Sequence, residues 1–199
     1  MHKGDIKMAN GKVCTGFSKP YVALYSATGG NVTYSSGQAL ARGVSVSVSV
    51  DQGDDNNFYA DNIIAETESG KFTSGELSLT VDGLLAAAEK LIMGLGEPAD
   101  GFMDYNDDQV VPDVGIGFIA RYMSSGVTTY VPVILPRCQF QFPGIDAATQ
   151  EESIDWQTQD LTATIKKAED AKNTWKKVGT DENTEAAAEA KIKTIFGIQ

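Results

Sequence analysis

Few side chains in this sequence are of the types that perform nucleophilic or metal-dependent chemistry. His2 is the single histidine of the chain, and Cys14 and Cys138 are its two cysteines. A Ser–His–Asp or Cys–His arrangement needs an imidazole fixed beside the nucleophile, and a zinc site needs several clustered His or Cys ligands. The sequence therefore predicts no catalytic residue, no metal site and no cofactor, and we expect a protein that is not an enzyme.

One acidic segment places oxygen ligands at the spacing that calcium loops use. Asp104, Asn106 and Asp108 stand at alternate positions. An EF-hand loop also needs a glycine at its sixth position and a glutamate at its twelfth. This chain has Gln109 and Gly115 at those positions. We interpret the segment as a solvated loop.

Motifs for nucleotide or sugar chemistry are equally incomplete. Residues 115–120 fit G-x-G-x-x-A, but they lie inside a strand pattern, whereas the dinucleotide motif needs a strand-to-helix junction. Glu151 and Glu152 are adjacent, so on a strand they point to opposite faces and cannot act as a glycosidase pair. Trp156 and Trp175 could stack on a sugar, but burial in the core is the commoner fate of a tryptophan.

The charge of the chain is unevenly distributed. The formal net charge is −11, which disfavours tight binding of nucleic acid because such binding needs clustered cations. Most of the acids lie in residues 43–120, where Lys71 and Lys90 are the only cations. Residues 166–199 carry seven lysines against six acids. Either the acidic segment is simply solvated, or an acidic and a basic surface meet in an assembly.

Sequence patterns also bear on the compartment. No run of 18 apolar residues is present, so we expect no membrane-spanning segment. Residues 1–10 carry two lysines with no apolar stretch behind them, which is not the pattern of a secretory signal. We expect a soluble protein of a reducing compartment.

The periodicity of the chain predicts mostly β-structure with two helices. Predicted strands cover residues 21–27, 31–36, 39–50, 71–82, 114–123, 128–142, 154–165 and 175–178. Helices are predicted at 84–93, capped by Asp82, and at 185–196, capped by Thr184. Residues 51–62 and 97–113 are predicted to be loops, and Gly75 to be a bulge. Pro132 and Pro136 indicate an edge strand or a bulged strand. The pattern indicates a mainly antiparallel α+β or β-sandwich domain.

The clearest pattern is an alternation of valine with serine over residues 44–50. Val44, Val46, Val48 and Val50 form one face, and the serines between them form a wet, uncharged one. Such a strand pairs readily with other strands when its edge is open. The edge is either covered within the chain, or closed by strands of other copies into a barrel. In the second case the serines line a water-filled bore.

Four stretches, in this order, carry a resemblance to a known family. They are PYVALYSATGGNVTYSSGQALARGVSVSVSV, KFTSGELSLTVDGLLAAAEKLIMG, VGIGFIARYMSSGVTTYVPVILPRCQFQFPG, and IDWQTQDLTATI followed by WKKVGTD and the last helix. Together they resemble the major tail protein, or tail tube protein, of long-tailed non-contractile bacteriophages. The loops at 51–62 and 97–113 resemble the family least.

This resemblance implies a fold, an assembly and a set of partners. The fold is mainly β (α+β), with two packed antiparallel sheets, sandwich-like or barrel-like, flanked by a short helix and followed by the C-terminal helix at 184–196. Residues 1–19 form an N-terminal arm, and residues 20–199 a single domain. Homohexameric rings stack into a tube around a tape-measure protein, and tail terminator and baseplate or tail-tip proteins close its ends. Double-stranded DNA passes through without specific binding. The protein is then a virion component, assembled in the cytoplasm of the host bacterium.

Within that framework, two groups of residues become candidate functional residues. The residues expected to face the bore are Ser45, Ser47, Ser49 and Glu76. The residues expected to contact a neighbouring subunit or ring are Asp51, Asp54, Asp55, Phe58 and Tyr59, together with Lys12 and Lys19 of the arm, which with Lys3 and Lys7 would meet acidic loops. Two alternatives share the predicted strands. One is a β-sandwich adhesin or ligand-binding module, and the other is the inner tube protein of a contractile tail or secretion apparatus.

Overall fold

The computed structural model describes residues 11–98, 100–145, 149 and 156–199. The fold is mainly β and sandwich-like, with two antiparallel sheets, a short helix and a C-terminal helix. The strands are β1 (Val13–Thr28), β2 (Asn31–Ala39), β3 (Gly43–Gln52), β4 (Asn56–Ala60), β5 (Ile63–Glu68), β6 (Phe72–Val81), β7 (Val114–Ser124), β8 (Val127–Phe140), β9 (Gln159–Lys166) and β10 (Lys177–Val178). The helices are α1 (Ala86–Met93) and α2 (Glu185–Phe196).

The larger sheet has eight strands and folds back on itself. Its order is β2-β1-β7-β8-β9-β6-β3, and β10 pairs with β8. β8 joins the two halves, because it pairs with β7 along most of its length and with β9 through Arg137–Phe140. Side chains from β1, β7 and β8 share one core with side chains from β6 and β9. The two halves of the sheet therefore form the two layers of the sandwich, and β4 and β5 form the second, two-stranded sheet.

The alternation of residue types explains which side of each strand is buried. In β6, Leu77, Leu79 and Val81 are buried whereas Glu76 and Ser78 are exposed, as a period of two requires. In β9, the predicted inward residues Leu161, Ala163 and Ile165 are all buried. Helix α1 adds Ala88, Ile92 and Met93 to the same core.

Helix α2 covers the outer face of the β2-β1-β7-β8 half. Its buried residues Ala188, Ile192 and Phe196 pack against side chains of β1, β7 and β8. A Cβ atom at Gly117 of β7 would lie 2.6 Å from Ile192 Cγ2, and one at Gly115 would lie 3.0 Å from the Phe196 ring. The G-x-G pattern in this strand thus allows the close approach of a helix.

A group of polar contacts attaches α2 to β1. Lys19 Nζ is ion-paired with Glu189, Tyr21 Oη donates to Glu189 Oε1 at 2.5 Å, and Lys193 Nζ lies 3.1 Å from the same carboxylate oxygen. The hydrogen bonds from Lys19 and Tyr21 lower the pKa of Glu189 to about 2, against desolvation, which raises it. Burial and the bond to Glu189 raise the pKa of Tyr21 to about 12.

Glu189→Gln is expected to reduce the free energy of unfolding at neutral pH by about 1–3 kcal/mol, because a charge-assisted contact is lost. A carboxylate whose folded-state pKa is depressed stabilises the protein above its unfolded pKa, near 4.5, and loses that effect as the pH falls toward 2. The difference between wild type and variant should therefore shrink over that range. Urea titrations at several pH values measure it, with the exposed Glu66→Gln as control. A difference that stays constant with pH would show that Glu189 does not act through its charge.

The structure corrects several element boundaries. Helix α1 begins at Ala86, and Leu85 at its N-cap makes no side-chain cap bond. The predicted cap, Asp82, instead accepts from the backbone N of Arg42 at 2.9 Å and pairs with its guanidinium. The predicted cap of α2 is confirmed, since Thr184 Oγ1 accepts from Ala187 N at 3.2 Å.

The sheet also differs in detail from the prediction. The bulge in β6 is at Thr73 rather than Gly75, because Asp51 faces Ser74 and Gln52 faces Phe72. β8 is a central strand, so the edge interpretation of its prolines is wrong, but a register shift does occur around Pro136.

The observed ends of two further segments also differ from the predicted ones. β9 begins at Gln159 rather than at 154, and residues 151–155 lie outside the described part of the chain. β1 begins at Val13, so residues 13–18 of the predicted arm run along β7. Within the described residues, no helix is long and apolar enough to cross a membrane.

Candidate interaction surfaces

β3 ends the larger sheet and has one open edge. In the described part of the chain it pairs only with β6. Val46 and Val48 pack partly buried against the core, whereas Val44 and Val50 are exposed. The internal covering considered for this strand is therefore not supplied by any described strand. An unpaired edge of a strand without charges or proline over residues 43–50 can accept another strand.

The outward side of β3, β6 and β9 is a continuous polar surface. We name it the polar face; its residues are Ser45, Ser47 and Ser49 of β3, Glu76, Ser78 and Thr80 of β6, and Asp160, Thr162 and Thr164 of β9. Residues directly opposite in register share a face, and Ser47 faces Ser78, which in turn faces Thr162. The predicted grouping of the three serines with Glu76 is seen here, since Ser49 faces Glu76.

The polar face carries two carboxylates and no cation. Thr80 Oγ1 donates to Asp160 Oδ1 at 2.7 Å. Two cations near the end of β9 are held by other acids: Lys166 Nζ lies 2.9 Å from Asp113 Oδ1, and Arg137 Nε lies 2.7 Å from Asp113 Oδ2. The face is thus hydroxyl-rich and weakly negative.

Residues 51–62, predicted to be a loop, contain a strand of a β-hairpin. β3 continues to Gln52, and β4 then pairs with β5 across a turn at Asp61 and Asn62. Both turn residues have positive φ, 51° and 63°, the conformation of the two-residue turns that fit the twist of a hairpin. The prediction was wrong because Asn56 and Asn57 have low β-propensity and obscured the strand.

The hairpin exposes large apolar side chains. Phe58 and Tyr59 are 63% and 61% exposed, and Ile63 and Ile64 are also exposed. Tyr59 and Ile64 lie opposite each other on one side of the hairpin, and Phe58 and Ile63 lie on the other side. We name these four residues the hairpin patch. β5 is exposed along its whole length, and neither hairpin strand pairs with the larger sheet. Clustered exposed apolar residues of this kind mark a contact surface. Phe58 and Tyr59 are predicted contact residues, whereas Ile63 and Ile64 on the other side of the Asp61–Asn62 turn were not predicted.

The base of the hairpin is fixed by its own chain. Gly53 N donates to Lys71 O at 2.9 Å, and Gly70 N donates to Asp55 Oδ1 at 2.9 Å. A Cβ atom at Gly70 would lie 1.6 Å from Gly53 O, so only glycine fits there. Asp51 Oδ2 accepts from the Ser74 hydroxyl at 2.9 Å. Of the predicted contact residues, Asp51 and Asp55 therefore support the hairpin, and Asp54 is exposed.

The predicted contact lysines have partners within the same chain. Lys12 Nζ lies 2.6 Å from Asp181 Oδ1, and Lys19 is paired with Glu189. Both partners belong to the C-terminal part of the chain, not to the acidic loops for which these lysines were predicted. Lys3 and Lys7 lie outside the described residues. An intersubunit role for Lys12 and Lys19 stays a prediction.

The remaining candidate catalytic and metal-binding residues do not form a site in the described part of the chain. Among the described residues, no three His, Cys, Asp or Glu side chains form a group that could hold a metal ion. His2, Glu151 and Glu152 lie outside those residues. Burial raises the pKa of the Cys138 thiol above its usual range, which makes it a poor nucleophile.

The two tryptophans have different environments. Trp156 is 82% exposed, which contradicts the prediction that it is buried. Trp175 stacks on Phe72, with ring centroids 4.6 Å apart, and is partly buried.

No model of a known protein family matches the chain, and no curated protein matches it. The polar face, the open edge of β3 and the hairpin patch are the structural features that bear on function.

Proposed function

We propose that the protein is a structural virion protein whose copies form the tube of a phage tail. The observation that carries the proposal is the polar face, whose nine residues include no cation, next to an open strand edge; Lys166, the last residue of β9, is neutralised by Asp113. A covering helix lies on the other layer of the sandwich. The layer covered by α2 is thus suited to the outside of a tube, and the layer that carries the polar face is suited to line a water-filled bore.

Closure of the sheets of several copies, with β3 of one copy placed against the part of β9 that β8 leaves unpaired (159–161), removes the open edge and encloses the polar face. If six copies each contribute β3, β6 and β9, the barrel has about 18 strands. At a spacing of about 4.8 Å and a tilt of about 40°, its backbone diameter is about 36 Å. Short serine and threonine side chains leave most of that width open. The bore is then wide enough for a DNA duplex.

The charge of the bore suits a conduit. Each lysine or arginine in contact with phosphate adds affinity by releasing counterions, and affinity along the path would slow transit. The carboxylates of Glu76 and Asp160 repel phosphate over about 8–10 Å at physiological ionic strength. In this proposal hexameric rings stack around a tape-measure protein in the host cytoplasm, and terminator and tip proteins close the ends of the tail.

Negative-stain electron microscopy of the purified protein, before and after concentration, tests the proposal. We expect rings or hollow tubes with a central bore, because the open edge and the hairpin patch both lack partners in the single chain. A protein that stays monomeric at high concentration, even after seeds of a preformed tube are added, contradicts it.

A second function, a ligand-binding module, is favoured by one observation. A groove of about 490 Å³ is lined by Tyr105, Phe142 and Ile145, with Gln159 at its side. The Tyr105 and Phe142 rings lie 6.4 Å apart at a steep angle. Aromatic platforms with amide groups suit small polar ligands. A monomer that binds glycans, with binding lost in Phe142→Ala, would favour this function over a tube.

A further inference from the structure

A pocket of about 340 Å³ lies where β1, the end of β2 and the start of β3 meet. Its apolar walls include Pro20, Ala39 and Ala41, and its charged side chains are Lys19, Arg42 and Glu185. The pocket follows from an irregularity in β1. Lys19 has a φ of 52°, and the register with β7 shifts between Ser18 and Tyr21. The chain bends there and leaves an apolar hollow, in which Lys19 is paired with Glu189 and Arg42 is the cation that stays most exposed.

This pocket and the hairpin lie at opposite ends of the same two strands. In the β3–β6 pair, Gly43 faces Val81 at one end and Gln52 faces Phe72 at the other. Gly43 lines the pocket, and the hairpin is inserted between Gln52 and Phe72. The two ends are about 30 Å apart. The eight residues from Gln52 to the tip of β4 span about 26 Å as a strand, and Phe58 and Tyr59 are exposed, so the hairpin does not fill the pocket of its own chain.

The chemistry of the pocket matches that of the hairpin. The Arg42 side chain is 92% exposed, and Asp82 takes its Nε donor, so its other four N–H groups can bind a further carboxylate. The hairpin supplies exposed carboxylates at Asp61 and Glu66 beside its aromatic rings. A guanidinium or ammonium group over an aromatic face also adds a favourable contact.

We infer that the hairpin patch of one copy docks into this pocket of a second copy. Phe58 enters the hollow between Pro20, Ala39 and Ala41, and Glu66, which faces Phe58 in the hairpin, binds Arg42. This inference rests on the proposed function, because the contact requires copies that are stacked end to end. Because the two surfaces differ, the contact is heterologous, and it repeats along an open stack instead of closing as a dimer.

Cysteine cross-linking tests this contact between two proteins, each with Cys14→Ser to remove the exposed native thiol. One protein carries Tyr59→Cys and the other Ala39→Cys, which is an exposed wall position. Mixed and mildly oxidised, they should give a heterodimer at least tenfold more abundant than either homodimer. The control pair is Tyr59→Cys with Lys172→Cys, an exposed position in the loop after β9.

The outcomes separate the docking contact from the proposed tube. Rings or tubes that form without the Tyr59–Ala39 cross-link overturn the docking and leave the tube. Equal cross-linking to Lys172→Cys, or a predominant Tyr59 homodimer, also overturns it. Failure of both cross-linking and assembly counts against both ideas.

A charge reversal provides a second test, in which the variants must first be shown to be folded. Arg42→Glu should lower the cross-linking yield about tenfold or more, since it places a carboxylate before the acidic hairpin. Arg121 is also an exposed arginine but does not line the pocket. Arg121→Glu should therefore leave the cross-linking yield unchanged. Equal yields in the two variants, with unaltered melting temperatures, would show that Arg42 does not bind the hairpin.

Discussion

Phe58→Ala is expected to abolish tube assembly while leaving the single chain folded. The ring is 63% exposed in the hairpin and belongs to neither core cluster, so its removal costs the monomer little. In an assembly it would be buried, and loss of a buried aromatic anchor costs about 2–4 kcal/mol. Since about 1.4 kcal/mol is a factor of ten, the critical concentration should rise by about 30- to 1000-fold.

Sedimentation of concentrated protein measures this effect directly. Wild type should pellet as polymer, and Phe58→Ala should remain in the supernatant with an unchanged circular dichroism spectrum and melting temperature. Phe102→Ala is the matched control, because Phe102 is equally large, 73% exposed and far along the chain from the hairpin. Equal polymer yields of the two variants would remove the hairpin from the interface.

Ser47→Lys is expected to make the proposed tube retain DNA. Ser47 lies in the middle row of the polar face, between its neighbours Ser45 and Ser49 on an exposed strand side. The change therefore alters charge with little effect on folding. Six lysines per ring equal the number of phosphate contacts that give salt-dependent, sequence-independent binding, with losses of about 10³–10⁵ in affinity between 50 and 200 mM salt.

Purified tubes and fluorescent DNA give the measurement. Ser47→Lys tubes should retain DNA at low salt and release it at high salt, and phage that carry the variant should deliver their genome at least about tenfold less often. Ser35→Lys, an exposed serine on β2 in the other layer, is the control. Genome delivery at the wild-type rate from Ser47→Lys phage would show that residue 47 does not face the DNA.

The polar face was predictable because its signal is local. A valine–serine alternation over residues 44–50 needs no knowledge of neighbours to assign a wet side, and Glu76 follows from the same alternation in β6. The cap of α2 at Thr184 is local as well. The buried sides of β6 and β9 were predictable for the same reason.

The errors come from contacts between distant parts of the chain. Asp82 has a good residue type for an N-cap, but Arg42, from a different element, takes its carboxylate. Pro132 indicates an edge strand by itself, yet its carbonyl accepts from Gly179 and β8 lies at the centre of the sheet. The pocket beside Lys19 depends on a bend in β1 and on the start of β3, so no single stretch of sequence indicates it.

If copies stack through the proposed docking contact, the placement of the hairpin and the pocket at opposite ends of β3 gives the stack a direction. One end of such a polymer presents unfilled pockets, and the other presents bare hairpins. A growing polymer of this kind adds subunits to two chemically different tips, so the rates of elongation at the tips differ. Proteins that start and stop growth would then bind different surfaces, so each would bind at only one end of the polymer.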